Sequence, residues 1–297
     1  MSREMSLTLD HPGTRALSAA GGIKNILLHV QNDRSLDERL EAALSLARAC
    51  DAHLHCVHIT PIEAYVAFDA FGGVFVMNDV IRALDDEETR LRARIEAELS
   101  KEDVTWDYEQ VTGNIATQVV RFGALSDLVV TGRDAHESDV LPSNSAMLAD
   151  ILHRSRTPLF VPACDGARFD PLGNAMVAWD GSYEAANAVR ASLGLLKLAA
   201  NVRVVQASEE KKGDEFPSTR LLEYLSRHDV HAELTIEPPG STDGRAIAAL
   251  LVAQAKAYRA DYLVMGAYNH SRLGEYLFGG VTKAMLDDCA LPLVISH

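Results

Sequence analysis

The sequence predicts an α/β protein made of two tandem doubly wound domains, each with a mainly parallel sheet flanked by helices. Two observations predict this class. Short apolar runs of strand length alternate with helical segments along the chain, which is the pattern of βαβ units. The order of these segments also starts again near the middle: 126–132 is similar to 260–266, and 157–161 to 291–295, both at a separation of 134 residues. The chain therefore contains an internal duplication of a βαβ domain.

The first half contains five predicted strands and four predicted helices. The first helix begins at Ser35, because Ser35 and Glu38 have the spacing of a capping box. Pro61 ends the second strand, and residues 62–78 are apolar and rich in aromatic residues and glycine without a clean period. Strands are predicted at residues 22–30, 54–59, 106–111, 126–132 and 158–162, and helices at 35–50, 79–99, 114–122 and 148–153.

The second half repeats this order after a segment rich in turn-forming residues. Strands are predicted at residues 174–178, 202–207, 231–236, 262–265 and 292–295, and helices at 184–198, 218–228, 245–259 and from 281 onwards. The first strands correspond at a separation of 150 residues, Ile26 to Met176, so the first half carries 16 extra residues, which we place in 62–78. We divide the chain into a mobile lead-in, a first domain, a linker and a second domain, at residues 1–21, 22–163, 164–172 and 173–297.

Composition and charge exclude several classes. The chain is 47% hydrophobic and 24% charged, with no apolar run long enough for a membrane span. Its net charge of −14 repels nucleic acid and anionic lipid, so neither is an expected partner. The N-terminus lacks the apolar core of a signal peptide. The cysteines lack the spacing of a disulfide scaffold, so a reducing, cytoplasmic location is expected; they are Cys50, Cys56, Cys164 and Cys289.

The stretch 260–283 has the parts of an anion site. A buried strand ends at Gly266, a loop with little apolar content follows, and Gly279–Gly280 opens a helix. Free backbone N–H groups and the positive end of the helix dipole converge at such a point. We therefore expect a phosphate there.

Asp180 follows the first strand of the second half, in the turn Trp179-Asp180-Gly181-Ser182. An ionised carboxylate only accepts hydrogen bonds, so it suits an adenine amino group or ribose hydroxyls and not a phosphate. The alternative interpretation is a turn aspartate that caps the next helix.

This turn, together with the spacing Gly266-x2-Asn269-x9-Gly279-Gly280-Val281-Thr282, resembles the universal stress protein family, as a tandem member with both domains in one chain. The resemblance covers nearly the whole chain. It implies a five-stranded, mainly parallel sheet of the adenine nucleotide alpha hydrolase-like type in each domain. It also implies pairing of the two domains through their last strands, and ATP, with or without Mg²⁺, in the second domain. A further homodimer is compatible with the sequence but not required.

The resemblance implies that the nucleotide is held at the end of the first strand, at the end of the second strand by the backbone, and along the glycine-rich loop. These positions are Ala178, Trp179, Asp180, Gly181, Ala207, Met265, Gly266, Asn269, Arg272, Gly279, Gly280, Val281 and Thr282.

Two positions depart from the motif of the family. Asn269 replaces the second glycine, and asparagine is the non-glycine residue that best tolerates a positive φ. Gly280 replaces a serine or threonine, which removes a hydroxyl, and Thr282 is a candidate to supply one instead. Arg272 either neutralises phosphate or is a solvated loop arginine. We expect weakened or altered phosphate contacts.

The first domain departs further. In its counterpart of the loop, 132–146, Ala135 and Ser145 stand where glycines are expected, and Asp134, Glu137 and Asp139 add negative charge. Its first strand also lacks an Asp-Gly-Ser turn. We expect a partner domain that does not bind nucleotide.

Other kinds of chemistry have weaker signals. Residues 50–58 collect cysteines and histidines that could suggest zinc, but a packed strand explains them better, and no metal site is expected. The chain lacks the motifs of P-loop ATPases, serine hydrolases and zincins. The expected function is therefore ATP binding in a stress response or in signalling, with at most slow hydrolysis. The alternatives are an interaction protein that has lost nucleotide binding and a nucleotide-processing enzyme of the same superfamily.

Overall fold

The structure is a computed structural model that describes residues 22–61, 67–68, 74–75, 78–133, 144–163, 169–207, 216–237, 240–241, 243–267, 279–288 and 291–297. The predicted lead-in lies outside these residues, as do most of the irregular stretch 62–78 and part of the linker.

The first half alternates strands and helices as predicted. Its strands are β1 (Asn25–Val30), β2 (His53–Thr60), β3 (Ala67–Phe68), β4 (Val74–Phe75), β5 (Trp106–Thr112), β6 (Leu128–Val130) and β7 (Leu159–Val161). Its helices are α1 (Leu36–Cys50), α2 (Asn78–Leu99), α3 (Ile115–Gly123) and α4 (Asn144–Arg154). The short antiparallel pair of β3 and β4 was not predicted, because two-residue strands leave no period to detect.

The second half repeats the order. Its strands are β8 (Asn174–Trp179), β9 (Asn201–Gln206), β10 (Ala232–Ile236), β11 (Tyr262–Gly266) and β12 (Leu293–Ser296). Its helices are α5 (Tyr183–Ala191), α6 (Leu193–Leu196), α7 (Ser218–Arg227), α8 (Gly244–Tyr258) and α9 (Gly280–Asp288). The single helix predicted over 184–198 is wrong: it is interrupted at Ser192, whose φ of −94° and ψ of 4° leave the helical region.

Ten of the described strands form one continuous sheet, in the order β10-β9-β8-β11-β12-β7-β6-β1-β2-β5. Each half contributes five parallel strands in the same relative order, and the predicted α/β class is confirmed. The halves join where β7 and β12 pair antiparallel, with Phe160 opposite Val294.

The register corrects the predicted correspondence of the first strands. Ile26 lies beside Leu128, and Ala175 lies beside Tyr262. Because Leu128 and Tyr262 are 134 residues apart, Ile26 corresponds to Ala175, at 149 residues and not 150. Ile26 and Ala175 also pack in the same core layer, whereas Met176 packs in the other. Successive side chains of a strand point to opposite faces of the sheet. An error of one residue in the alignment of β1 with β8 therefore assigns each side chain to the wrong face. Part of the extra length of the first half lies in α2, which has 22 residues against 10 in α7.

Helices cover both faces of the sheet and bury two apolar layers. One layer lies beneath α1, α2, α5, α6 and α7, and the other beneath α3, α4, α8 and α9. Both layers continue from one half into the other, since Phe160 and Val294 belong to the first and Leu159 and Leu293 to the second. No helix in the part of the chain described above is both long and apolar enough to cross a membrane.

Candidate functional site

The carboxyl ends of β8, β9 and β11 lie at the switch point of the strand order in the second half, and we call this edge of the sheet the crevice. From β8 the chain runs outward through β9 and β10, and it then returns to β11 on the other side of β8. In open parallel sheets, ligands bind where the strand order reverses in this way. Asp180, Ala207 and Ala267 directly follow these three strands, so the structure brings the predicted residues of all three to one edge of the sheet.

Asp180 is exposed and fixes the turn that begins α5. Its Oδ1 atom accepts hydrogen bonds from the backbone N–H of Ser182 at 3.1 Å and from the Ser182 hydroxyl at 2.6 Å. The Ser182 Oγ atom accepts from the backbone N–H of Ala185 and so caps the helix. Asp180 therefore acts on the cap through Ser182, while its role toward a ligand stays a prediction.

Aromatic residues support the same turn. The indole N–H of Trp179 donates to the carbonyl of Phe216 at 3.2 Å, and the Phe216 N–H donates to the carbonyl of Gly181. Gly181 has a φ of +76°, a conformation that favours glycine. Tyr183 is 60% exposed and its ring packs edge-on against Phe216 at 4.9 Å. The segment before α7 thus holds the loop after β8 from one side.

Met265 and Gly266 end β11 in different ways. The Met265 side chain is buried in the apolar layer beneath α8 and α9, so only its backbone is placed to face the crevice. A Cβ atom on Gly266 would lie 2.5 Å from the backbone nitrogen of Ala185. Gly266 is therefore required by the close approach of the first turn of α5 to β11.

Two helices begin in contact at the same edge of the sheet. A Cβ atom on Gly244 would lie 2.5 Å from the carbonyl carbon of Gly280, so the first turns of α8 and α9 touch through glycines. Gly279 and Gly280 are exposed, and among the described residues no atom lies within 4 Å of the position of a Gly279 Cβ atom. The first N–H groups of a helix have no intrahelical acceptor, and its N-terminus is positive. The start of α9 therefore fits an anionic group such as a phosphate.

The remaining predicted residues of the loop differ in placement. Val281 is half-buried, and Thr282 is 4% exposed, so its hydroxyl is not on the surface that the two glycines form. Asn269 and Arg272 lie outside the described residues. Sequence analysis did not identify Gly244, because its role depends on a contact with a residue far along the chain.

In the first half, the buried side chain of Arg39 lies at the carboxyl end of β6, the strand that corresponds to β11. The Arg39 side chain is 0% exposed, and its Nη1 atom donates to both carboxylate oxygens of Asp33 at 2.9 Å and to the Ser35 hydroxyl at 2.7 Å. Its Nη2 atom donates to the carbonyl of Gln31 at 2.7 Å. A Cβ atom on Gly132 would overlap the Arg39 guanidinium. The Arg39 guanidinium and its partners therefore lie against the end of β6.

Equivalent glycines at the ends of β6 and β11 contact different groups in the two halves. Gly132 corresponds to Gly266 at 134 residues. Gly132 contacts the Arg39 guanidinium, whereas Gly266 contacts the backbone of the first turn of α5. The predicted acidic loop residues Asp134, Glu137 and Asp139, together with Ala135 and Ser145, lie where the structure gives no side-chain description.

The cysteine and histidine run 50–58 forms the end of α1 and most of β2. Burial raises the pKa of the Cys50 thiol to about 11 and that of the Cys56 thiol to about 12, so both are protonated at neutral pH. His58 Nδ1 lies 3.1 Å from the Val30 carbonyl and His58 Nε2 lies 3.6 Å from the Glu88 carboxylate. Within the described ranges, no group of three or more His, Cys, Asp and Glu residues is arranged to hold a metal ion. A packed strand accounts for this run.

Comparison with known proteins identifies a family for the second half. The sequence model described as "Universal stress protein family" matches residues 172–297. No curated protein matches the sequence.

Solved structures share the fold over almost the whole chain. A universal stress protein from Archaeoglobus fulgidus DSM 4304 is 14% identical, with a TM-score of 0.65 over 92% of this chain and 95% of that chain. A protein of unknown function from Pseudomonas aeruginosa PAO1 is 16% identical, with a TM-score of 0.53 over 94% of both chains. The cytoplasmic domain of a prokaryotic cation chloride cotransporter is 10% identical, with a TM-score of 0.52 over 92% of this chain and 95% of that chain. At such identities the likeness concerns the fold.

Proposed function

Residues 172–297 belong to the universal stress protein family, and the whole chain has the fold of a solved universal stress protein; from this premise we propose that the second half binds an adenine nucleotide, ATP. The contact of Gly244 with Gly280 at the exposed start of α9 carries the proposal. It places two positive helix ends together, at the edge of the sheet where parallel α/β sheets bind ligands.

In this proposal, different residues of the crevice bind different parts of ATP. The Asp180 carboxylate accepts hydrogen bonds from the adenine amino group or the ribose hydroxyls, and the backbone at Ala207 lies beside the base. The backbone from Gly279 to Val281, at the start of α9, holds the phosphates, with or without Mg²⁺. Because the Asp180 carboxylate already orders Ser182, it is positioned before the ligand arrives.

ATP acts as a signal or a stability ligand in this proposal, with at most slow hydrolysis. The role belongs to a stress response or to signalling in the cytoplasm. The buried free thiols of Cys50 and Cys56 suit such a reducing compartment.

Calorimetric titration of the apo chain with ATP tests the proposal. The decisive variant is Asp180→Asn, which keeps an oxygen acceptor for Ser182 but removes the charge. Asp170→Asn is the matched control, because the Asp170 Oδ1 atom accepts from the backbone N–H of Leu172 in the same two-residue turn, outside the crevice. We expect ATP to bind the unchanged chain and Asp170→Asn equally and Asp180→Asn about tenfold or more weakly, the loss that a charged hydrogen-bond partner gives.

Two results would overturn the proposal. A folded chain that binds no adenine nucleotide would instead be an interaction protein that has lost the ligand. Rapid turnover of a nucleotide would indicate an enzyme of the same superfamily.

A further inference from the structure

An arginine of the first half reaches into the second half at the end of α9. Arg133 follows Gly132 just beyond β6 and is half-buried. Its Nη2 atom donates to the carbonyl of Leu291 at 2.7 Å, and its Nη1 atom donates to the carbonyl of Met285 at 3.4 Å. Met285 lies in the last turns of α9, and Leu291 lies just before β12. One guanidinium therefore ties together both ends of the connection from α9 to β12.

The first half holds its own copy of this connection locally. At a separation of 134 residues, Ile151 corresponds to Met285 and Thr157 to Leu291. The backbone N–H of Ser155 donates to the Ile151 carbonyl at 2.7 Å, and the Ser155 hydroxyl donates to the Thr157 carbonyl at 3.3 Å. In the first half, the backbone N–H and the hydroxyl of Ser155 therefore donate to the carbonyls that correspond to the two acceptors of Arg133.

The two halves differ in sequence at the position of Ser155, whose hydroxyl donates to the Thr157 carbonyl. The position that corresponds to Ser155 is Cys289, which lies outside the described residues, and a thiol is a weak hydrogen-bond donor. The last turn of α9 also contains no basic residue, whereas that of α4 contains His153 and Arg154. Positive charge near a helix C-terminus is favourable, and Arg133 supplies it from the other half.

We propose that Arg133 is a positioning residue for the nucleotide site of the second half. The inference rests on the proposed function. α9 is a short helix whose C-terminal part is held by Arg133 through the Met285 carbonyl and whose N-terminal end touches Gly244. A shift of one end displaces the other, where the backbone N–H groups at Gly280 and Val281 meet the phosphates. The first half thereby sets phosphate affinity in the second without binding nucleotide itself.

The test compares Arg133→Met, which keeps most of the length and apolar volume of the side chain, with the full-length unchanged chain. Arg133→Lys keeps the charge but cannot span two carbonyls. Arg227→Met is the control, because the Arg227 side chain is 77% exposed and pairs with Glu223 of the same helix, α7. Three quantities are measured: ATP affinity, adenosine affinity by competition, and hydrogen exchange of the α9 amides.

For Arg133→Met we expect ATP affinity to fall about tenfold, the scale that residues remote from a ligand can impose. Adenosine affinity should stay unchanged, because adenosine has no phosphate for α9 to hold. Exchange of the α9 amides should rise, and Arg133→Lys should lie between. Adding Cys289→Ser to Arg133→Met should recover part of the ATP affinity, because it gives the second half a serine at the position that Ser155 has in the first half.

The outcomes separate this inference from the proposed function. Equal losses for ATP and adenosine, or unchanged α9 exchange in Arg133→Met, would refute the positioning role while ATP binding stands. If the unchanged chain binds no nucleotide, the proposed function fails and the positioning role toward the phosphates fails with it. Faster α9 exchange in Arg133→Met would then still show the contact between the halves.

Discussion

The Cα atom of Gly280 lies 2.7 Å from the position that a Cβ atom on Gly244 would take. Gly244→Ala therefore forces α8 and α9 apart, since backbone atoms on both sides cannot rotate away. We expect a loss of roughly 1–3 kcal/mol in the free energy of unfolding, and weaker ATP binding because the start of α9 moves. Urea unfolding and calorimetric titration measure the two effects.

Gly240→Ala is the matched control for that substitution. In the part of the chain that the structure describes, no atom lies within 4 Å of a Cβ atom at Gly240, so the expected effect of Gly240→Ala is the backbone preference of alanine. If Gly244→Ala behaves like Gly240→Ala in both measurements, the contact between the two helix ends is not required for binding.

The buried pair of Arg39 and Asp33 stabilises the first half. Arg39→Met removes the cation that pairs with the Asp33 carboxylate, whose side chain is only 12% exposed, and leaves it the N–H and hydroxyl of Ser35 as donors. Breaking such a buried pair costs about 3–5 kcal/mol. Arg154→Met removes an exposed pair with Asp150 and is expected to cost less than about 1 kcal/mol. Chemical denaturation compares the two variants, and equal losses would show that the Arg39 network is not a major source of stability.

The Ser182 hydroxyl, in the Asp180-Gly181-Ser182 turn, caps helix α5 and should stabilise the chain. Ser182→Ala removes the oxygen that accepts from Ala185 and should cost about 1 kcal/mol. Ser182→Asn keeps a capping acceptor and should restore most of that stability. Thermal unfolding monitors both variants. An unchanged melting temperature in Ser182→Ala would mean that α5 does not depend on this cap.

The local signals of the sequence were sufficient for the alternation of strands and helices and for the duplication. Apolar runs such as 126–132 and 260–266 need only their own residues to be recognised. The correspondence of Ile26 with Ala175 was one residue away from the prediction, because adjacent apolar residues in a strand buried on both faces look alike. The pairing of Ile26 with Leu128 and of Ala175 with Tyr262 shows which face of the sheet each side chain occupies.

Contacts between individual residues of distant segments, beyond the pairing of the last strands, were not predicted. Gly244 meets Gly280, and Arg133 meets Leu291, across separations for which one sequence offers no signal. The same limit applies to Arg39, which reads as an ordinary polar position of α1 yet is buried beneath the end of β6. The motif located the candidate site, and these long-range contacts determine its shape.

Alkaline pH should destabilise the chain through its buried thiols. Burial raises the pKa of Cys50 from 9.0 to about 11 and that of Cys56 from 9.0 to about 12. The unfolded chain therefore releases these protons at lower pH than the folded chain does. The stability contribution is complete below pH 9 and is lost as pH rises through about 11 to 12, at up to roughly 1.4 kcal/mol per pH unit for each group. Burial also raises the pKa of Tyr262, which adds to the loss.

Urea unfolding across this pH range checks the thiol prediction. Cys56→Ala lowers stability at neutral pH because it removes a core side chain, but its stability should fall less steeply above pH 9 than that of the unchanged chain. The same steepness in both would assign the alkaline loss to other groups.

Phe160 and Val294 lie opposite each other where β7 and β12 join the halves, and both are almost completely buried. The sheet and both apolar layers cross this junction, so unfolding of one half exposes a core face of the other. We therefore expect one cooperative transition for the chain. Each half has one tryptophan, Trp106 in the first and Trp179 in the second, so Trp106→Phe and Trp179→Phe leave a fluorescent reporter in one half at a time.

The two reporters should show coincident urea transitions. Phe160→Ala should lower both by the same amount, about 3–5 kcal/mol, because it removes a ring that packs on Phe169 at 4.6 Å. Leu125→Ala is the control, since Leu125 is 91% exposed and its loss should shift neither transition. If Phe160→Ala moves only the Trp106 transition, the halves unfold independently in spite of the continuous sheet.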